Sequence, residues 1–149
     1  MTEIRFHQLV RTPLERALPP LLEKMLAAGV RAVVMAGSEE RVEALNSLLW
    51  THGERSFLPH ASKRDGHPEQ QPIWLTTEEE APNGATCLVL TDGVVPQRVD
   101  RFERCFDLFD GRDEAAVAAA RERWQRWKSE GHQVSYWTQG EQGGWEQKN

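Results

Sequence analysis

One stretch of the chain decides the fold: Val30-Arg31-Ala32-Val33-Val34-Met35-Ala36, followed directly by Gly37-Ser38-Glu39-Glu40. The run before the glycine is almost continuously apolar, which is typical of a parallel strand covered on both faces. Gly37 turns the chain, and Ser38 is placed to cap a helix whose first turn carries two acids. The stretch therefore predicts a strand, a turn and a helix, which is the repeating unit of an α/β protein.

The same alternation continues on both sides of this unit. Residues 4–10 predict a first strand with one mostly apolar face. A helix follows, with Thr12 as N-cap and Pro13 at its first position, and we expect it to kink or restart at Pro19-Pro20 before it ends at Gly29. Further apolar runs lie at residues 56–58, 73–75, 86–90, 101–109 and 133–137. Strands that alternate with helices favour a mostly parallel, doubly wound sheet.

We therefore predict an α/β fold made of a single Rossmann-like domain, with a mostly parallel sheet and helices on both faces. The chain has 149 residues and 39% hydrophobic content, which fits one compact domain with one core. This domain is expected to span residues 1–139. Residues 140–149 are rich in Gln, Glu and Gly and predict a flexible C-terminal tail, whereas the polar residues 61–72 predict a surface loop.

Charge and cysteine content narrow the classes of function. A net charge of −5, from 23 acids and 18 bases, argues against direct, tight binding to nucleic acid. Cys87 and Cys105 lie in apolar runs and are expected to be buried, structural thiols. The sequence contains no apolar run of the roughly 18 residues that a membrane span needs, and its start does not resemble a signal peptide. We therefore expect a cytoplasmic protein without a membrane partner.

Catalytic chemistry has little support in the sequence. The turn at Gly37 offers one glycine and no lysine, whereas a phosphate-binding loop uses several glycines and a lysine. Asp92-Gly93 follows an apolar run, as a metal-holding Asp would, yet such a turn is common on structural grounds alone. The histidines lack the spacing of a metal site, and neither cysteine lies beside a base. We expect no catalytic residue, metal or cofactor; the alternative is a degenerate nucleotide-binding or helicase-associated domain without a phosphate loop.

Residues 115–128 predict an alanine-rich helix with two adjacent stripes. At about 100° per residue, Ala116, Ala120 and Trp127 share a stripe suited to the core. Beside it, within an arc of roughly 60°, lie Val117, Arg121, Trp124 and Lys128. Cations hold carboxylates, and Trp and Val bury apolar groups, so this second stripe suits a short acidic peptide with an aromatic or apolar anchor. The alternative is an ordinary amphipathic helix whose cations are solvated.

Four separate segments carry a resemblance to a known family. Residues 50–60 read Trp-Thr-His-Gly-Glu-Arg-Ser-Phe-Leu-Pro-His, which joins a Leu-Trp helix end to a Phe-x-Pro-His segment. Gln71-Pro72-Ile73-Trp74-Leu75 corresponds to a strand of the family, and residues 109–113 with Arg121-Glu122-Arg123-Trp124 correspond to its last helix. In this order, the segments resemble the chi subunit of bacterial DNA polymerase III holoenzyme over nearly the whole chain, apart from its last residues.

The resemblance implies an adaptor that performs no chemistry. Chi proteins have a Rossmann-like fold, bind the psi subunit of the clamp loader, and bind the acidic C-terminal tail of single-stranded DNA-binding protein. The psi-facing patch that the resemblance implies consists of Trp50, Phe57 and Pro59, with Leu58 and His60 as neighbours. The alternative for this patch is plain core packing.

The tail site that the resemblance implies lies on the last helix at Arg121, Trp124 and Gln125; the stripe that holds Arg121 and Trp124 also carries Val117 and Lys128. Members of the family often have a basic residue at the position of Gln125 and another near Val117, and this chain has neither. Arg126 or Lys128 is the candidate for the missing charge. Lys128 lies on the Trp124 face of the helix, whereas Arg126 lies about 160° away from Trp124.

Overall fold

A computed structural model of the protein describes residues 2–51, 60–62, 67–141 and 144–148. The main elements within these ranges are, in chain order, β1 (Glu3–Leu9), α1 (Leu14–Ala27), β2 (Ala32–Met35), α2 (Glu39–Thr51), β3 (His60–Ser62), β4 (Ile73–Thr76), β5 (Cys87–Leu90), β6 (Arg104–Asp110), α3 (Glu114–Ser129), β7 (Gln133–Gln139) and β8 (Trp145–Gln147). Short 3-10 helices, Pro68–Gln70 and Val99–Arg101, precede β4 and β6. None of the helices in the described ranges is long and apolar enough to cross a membrane.

The strands join into one sheet in the order β3-β4-β2-β5-β6-β1-β7-β8. Each neighbouring pair is parallel except β7 with β8, which is antiparallel. Strand β1 lies between β6 and β7, so that Ile4 faces Cys105 on one side and Val134 on the other. The predicted α/β fold with a mostly parallel sheet is confirmed.

The helices cover both faces of this sheet, as predicted. Leu18 of α1 and Leu45 of α2 belong to one buried apolar cluster, together with Val34 of β2. Trp127 of α3 belongs to a second cluster, together with Val33 of the same strand. Successive side chains of β2 thus enter two different cores, which explains why this part of the sequence is apolar without interruption.

Both cysteines lie inside these cores as free thiols, as predicted. Cys87 is 2% exposed and Cys105 is fully buried. Burial raises the pKa of the Cys87 thiol to about 12 and that of the Cys105 thiol well above its ordinary value. Because the thiolate is the reactive form of cysteine, both groups act as small apolar side chains.

The start of α1 differs from the prediction. Pro13, not Thr12, occupies the N-cap position, and no side chain caps the helix. The Thr12 hydroxyl instead accepts a hydrogen bond from Gln139 Nε2 at 2.6 Å. Gln139 Oε1 accepts bonds from the backbone N–H groups of Val10, Arg11 and Thr12 at 2.8–3.2 Å. A side chain at the end of β7 therefore holds the turn between β1 and α1, and this long-range contact has no local sequence signal.

Of the kink or restart expected at the two prolines of α1, the restart is wrong. The helix runs continuously from Leu14 to Ala27 and contains both Pro19 and Pro20. Leu18, Pro19 and Leu22 are buried. Their packing against the sheet outweighs the loss of two backbone donors, because helical stability in a folded protein comes mostly from tertiary packing.

The C-terminal segment also differs from the tail expected over residues 140–149. Residues 145–147 form β8, and Trp137 of β7 lies opposite Gln147. The ring centroid of Trp145 lies 4.4 Å from that of His7 in β1. Trp145 is the one apolar residue in an otherwise polar and glycine-rich segment, so composition alone hides this anchor.

A buried ion pair joins α3 to the sheet. Arg123 donates from Nε to Asp107 Oδ2 at 2.7 Å and from an Nη atom to Oδ1 at 3.0 Å, in a bidentate arrangement. The two side chains are 5% and 2% exposed. Burial raises the pKa of the Asp107 carboxyl, and the guanidinium of Arg123 acts in the opposite direction.

Replacing only the cation should destabilise the protein strongly. Arg123→Met leaves the Asp107 carboxylate buried without its partner, which typically lowers the free energy of unfolding by about 3 to 5 kcal/mol. The double variant Arg123→Met/Asp107→Leu removes both charges and should lose much less. Urea unfolding of the three proteins measures this difference. Equal losses in the single and double variants would mean that the ion pair is not what positions α3.

Candidate functional site

Side chains and backbone at both ends of helix α3 determine where it begins and ends. The Asp113 carboxylate accepts hydrogen bonds from the backbone N–H groups of Ala115 and Ala116 at 2.9 and 3.4 Å, which satisfies two donors at the helix start. The interior is rich in alanine, the strongest helix former. Gly131, with φ of 90°, follows the C-cap and allows the turn into β7.

Two of the three residues in the predicted core stripe of α3 are buried, as predicted. Ala120 is 1% exposed and Trp127 is fully buried, whereas Ala116 is half-buried. Sequence reasoning missed that Arg123 belongs to this stripe, although it lies three residues after Ala120 and four before Trp127. The signal that could have revealed it is Asp107, an acid inside the apolar run of β6.

The second stripe meets β7 at an aromatic surface. Trp124 is half-buried, and its ring centroid lies 5.8 Å from Phe6 and 6.0 Å from Tyr136. The Tyr136 hydroxyl donates a hydrogen bond to Gln8 Oε1 at 2.9 Å. Tyr136 was not identified from the sequence, although its place two residues after Val134 puts both on the face of β7 that packs with α3.

Two cations border these aromatic rings. Lys128 Nζ lies 6.0 Å from the ring centroid of Trp124, and both Lys128 and Arg121 are exposed. Burial raises the pKa of the Tyr136 hydroxyl, and the positive charge of Arg121 acts in the opposite direction. Within the described ranges neither Arg121 nor Lys128 forms an ion pair.

We call this region the α3–β7 surface; it consists of Val117, Arg121, Trp124, Lys128 and Tyr136. Val117 packs against the same apolar cluster as Trp124 and Tyr136. The surface thus combines half-buried apolar groups with two exposed cations that form no ion pair with any described residue. Chemically, it can receive an apolar side chain of a peptide while its cations hold carboxylates.

The other two candidates on the helix are placed differently. Gln125 is exposed on α3, and no hydrogen bond joins it to the aromatic rings in the part of the chain that is described. Arg126 pairs with Glu130 at 3.0 Å, and its guanidinium lies 4.5 Å above the Trp127 ring. Lys128 thus lies beside Trp124, whereas Arg126 is engaged on another side of the helix.

The predicted psi-facing patch is only partly within the described residues. Trp50 belongs to α2, but its side chain and all of Phe57, Leu58 and Pro59 lie outside the described residues. His60 begins β3 and is 5% exposed, with its Nε2 atom 3.3 Å from the backbone oxygen of Asn46. His60 is thus mainly a buried side chain at the edge of the sheet.

The turn after β2 contains a carboxylate where a phosphate-binding loop would need free backbone donors. The Gly37 N–H donates to Asp92 Oδ2 at 3.0 Å, and Arg41 Nε donates to Oδ1 at 3.2 Å. A Cβ atom on Gly37 would lie 3.1 Å from Asp92 Cβ, so the glycine permits this close approach. Ser38 caps α2 as predicted, since its hydroxyl accepts from the Arg41 N–H at 3.2 Å.

Similarity to known proteins shows which family the chain belongs to. A crystal structure of T4 UvsW has a TM-score of 0.61 and 11% identity, over 92% of this chain and 41% of that one, which shows a shared fold alone. The probable DNA polymerase III subunit chi of Rickettsia prowazekii (strain Madrid E) is 37% identical over 75 residues, or 50% of this chain and 46% of that protein. The match thus spans about half of the curated relative.

The family described as DNA polymerase III chi subunit, HolC, matches residues 1–135. The chain therefore belongs to the family of the DNA polymerase III chi subunit, an accessory subunit of the replicative polymerase.

Proposed function

We propose that this chain is a non-catalytic replication adaptor, which binds the psi subunit of the clamp loader and the acidic C-terminal tail of single-stranded DNA-binding protein. Membership of the chi family supports the proposal. The observation that carries it is the α3–β7 surface, where two cations without ion-pair partners in the described ranges border the half-buried Trp124. Such a surface complements a peptide that is both acidic and apolar.

Each part of the surface has a separate task in this proposal. Arg121 holds the terminal carboxylate of the tail, because a guanidinium offers two parallel donors that an ammonium cannot match. Lys128 attracts the acids that precede the terminus. The apolar end of the tail packs on Trp124 and Val117, while exposed Gln125 contributes a neutral amide where many relatives have a cation.

The arrangement of the β2 turn favours this proposal over a nucleotide-binding domain. Asp92 accepts hydrogen bonds from both the Gly37 N–H and Arg41, and its charge would repel a phosphate at that position. The likeness to T4 UvsW concerns the fold alone and adds no support for nucleotide chemistry.

The positions of the two proposed binding regions suit an adaptor. Of the proposed psi-facing residues, His60 begins β3 at one edge of the sheet, and the tail site includes Tyr136 of β7 near the other edge. Six strand spacings of about 4.8 Å separate these strands, which is roughly 29 Å. Partners bound at His60 and at Tyr136 can both be held without competing for the same residues.

Arg121→Ala should weaken binding of the tail peptide by about 1.5 to 3 kcal/mol, the usual loss for a charge-assisted hydrogen bond. The melting temperature should change little, because Arg121 is exposed. Isothermal titration calorimetry with a peptide of the tail sequence measures the loss. Arg126→Ala is the matched control, since it removes the same charge from another side of α3. If Arg126→Ala weakens binding more than Arg121→Ala does, the peptide binds a different face of the helix.

Phe57→Ala should weaken psi binding and leave tail binding almost unchanged, because mutations at distant sites without shared partners act independently. Both affinities are measured on the same folded variant, with Arg121→Ala as the reciprocal control. A loss of both affinities in a folded Phe57→Ala protein would contradict the assignment of two separate surfaces.

A further inference from the structure

A cavity of about 600 Å³ opens on the sheet face opposite α3. Its floor is formed by His7 of β1 with Phe106 and Leu108 of β6. Helix α1 forms one wall, and Trp137 and Trp145 from the β7–β8 hairpin line the cavity as well. We call it the α1–sheet cavity. Its size and its mainly apolar lining are typical of a site for a small ligand.

His7 is the unusual group in this floor. Its side chain is 5% exposed, and neither ring nitrogen has a hydrogen-bond partner within the described ranges. The surrounding rings of Phe106, Trp137 and Trp145 lie 5.5, 6.3 and 4.4 Å away, centroid to centroid, and none of them forms a hydrogen bond with His7. Buried polar groups are nearly always paired, so an imidazole without a protein partner beneath a cavity can form a hydrogen bond with a polar group of a ligand.

The charges around His7 indicate the sign of that group. Burial, followed by the positive charges of Arg5 and Lys24, lowers the pKa of His7 to about 4. Arg5 lies 5.3 Å above the Trp137 ring and pairs with Glu3, whereas Lys24 is exposed and has no ion pair in the described part of the chain. A negative charge placed at the imidazole would be attracted by both cations and would also favour the protonated ring as donor.

We propose that the α1–sheet cavity binds a small aromatic carboxylate, whose ring packs between α1 and the two tryptophans and whose carboxylate pairs with His7 and Lys24. A single negative charge fits better than a phosphate dianion, because Glu103 also lines the cavity and offsets part of the cationic charge of Arg104. The cavity is separate from the tail site, because it lies on the opposite face of the sheet.

Phenylacetate tests the proposal, with phenylacetamide as the neutral probe of the same shape. Nuclear magnetic resonance of the His7 ring should show a saturable shift with phenylacetate at neutral pH. The bound carboxylate should raise the pKa of His7 from about 4 toward its ordinary value of 6.5. Phenylacetamide should bind more weakly and leave this pKa low. The proposal is overturned if the two probes act alike or if neither gives a saturable shift.

Two variants locate the binding of phenylacetate. His7→Leu replaces an unpaired buried group by an apolar one, so it should fold with equal or higher stability and bind roughly tenfold or more weakly. Lys24→Ala removes an exposed cation and should also weaken binding. Arg121→Ala, on the opposite face, should bind phenylacetate unchanged. Unchanged affinity in a folded His7→Leu protein, or displacement of phenylacetate by the acidic tail peptide from this cavity, would overturn the assignment.

Discussion

The bidentate ion pair between Arg123 and Asp107 is the constraint on which the candidate site depends. It joins the middle of α3 to β6, in the interior between helix and sheet. With Arg123 directed inward at about 100° per residue, Trp127 also enters the core and Trp124 lies at the border of the helix that faces β7. A rotation of α3 that brought Trp124 fully inside would expose this buried ion pair. The pair therefore selects which stripe of the helix remains available to a partner.

The aromatic residues behind that stripe give it a rigid support. Phe6 contacts both Trp124 and Phe109, and Tyr136 of β7 contacts the same two rings. The position of β7 is fixed in turn by Gln139, which bonds to the turn between β1 and α1. A surface built from packed rings loses little conformational freedom when a peptide binds, so more of the contact energy remains as affinity. The exposed cations, by contrast, provide attraction that salt weakens.

Local patterns predicted the fold class well. The apolar run at Val30 to Ala36 reports burial on both faces, and a strand in the middle of a parallel sheet is where such burial occurs. Patterns failed where a distant contact decides the structure. Gln139 replaces the expected Thr12 cap, tertiary packing carries α1 through its two prolines, and Trp145 anchors β8 to the sheet.

The sequence likewise predicted only some residues of the candidate site. Helical spacing was sufficient to group Val117, Arg121, Trp124 and Lys128, because all four lie on one helix. It could not identify Tyr136, which reaches the site only through the pairing of β7 with β1, or the buried role of Arg123, which depends on an acid in another element. The periodicity of a helix or strand predicts which of its own residues share a face. It does not predict which residues of different elements the sheet brings together.

The most direct measurement of the central claim follows the indole N–H signals of the protein by nuclear magnetic resonance during titration with the acidic tail peptide. Trp127 is fully buried and serves as an internal reference on the same helix as Trp124. If the peptide binds the α3–β7 surface, the Trp124 signal shifts in a saturable way, while the signals of Trp127 and of Trp137 on the opposite face change little. A saturable shift of Trp137 with an unchanged Trp124 signal would contradict the account.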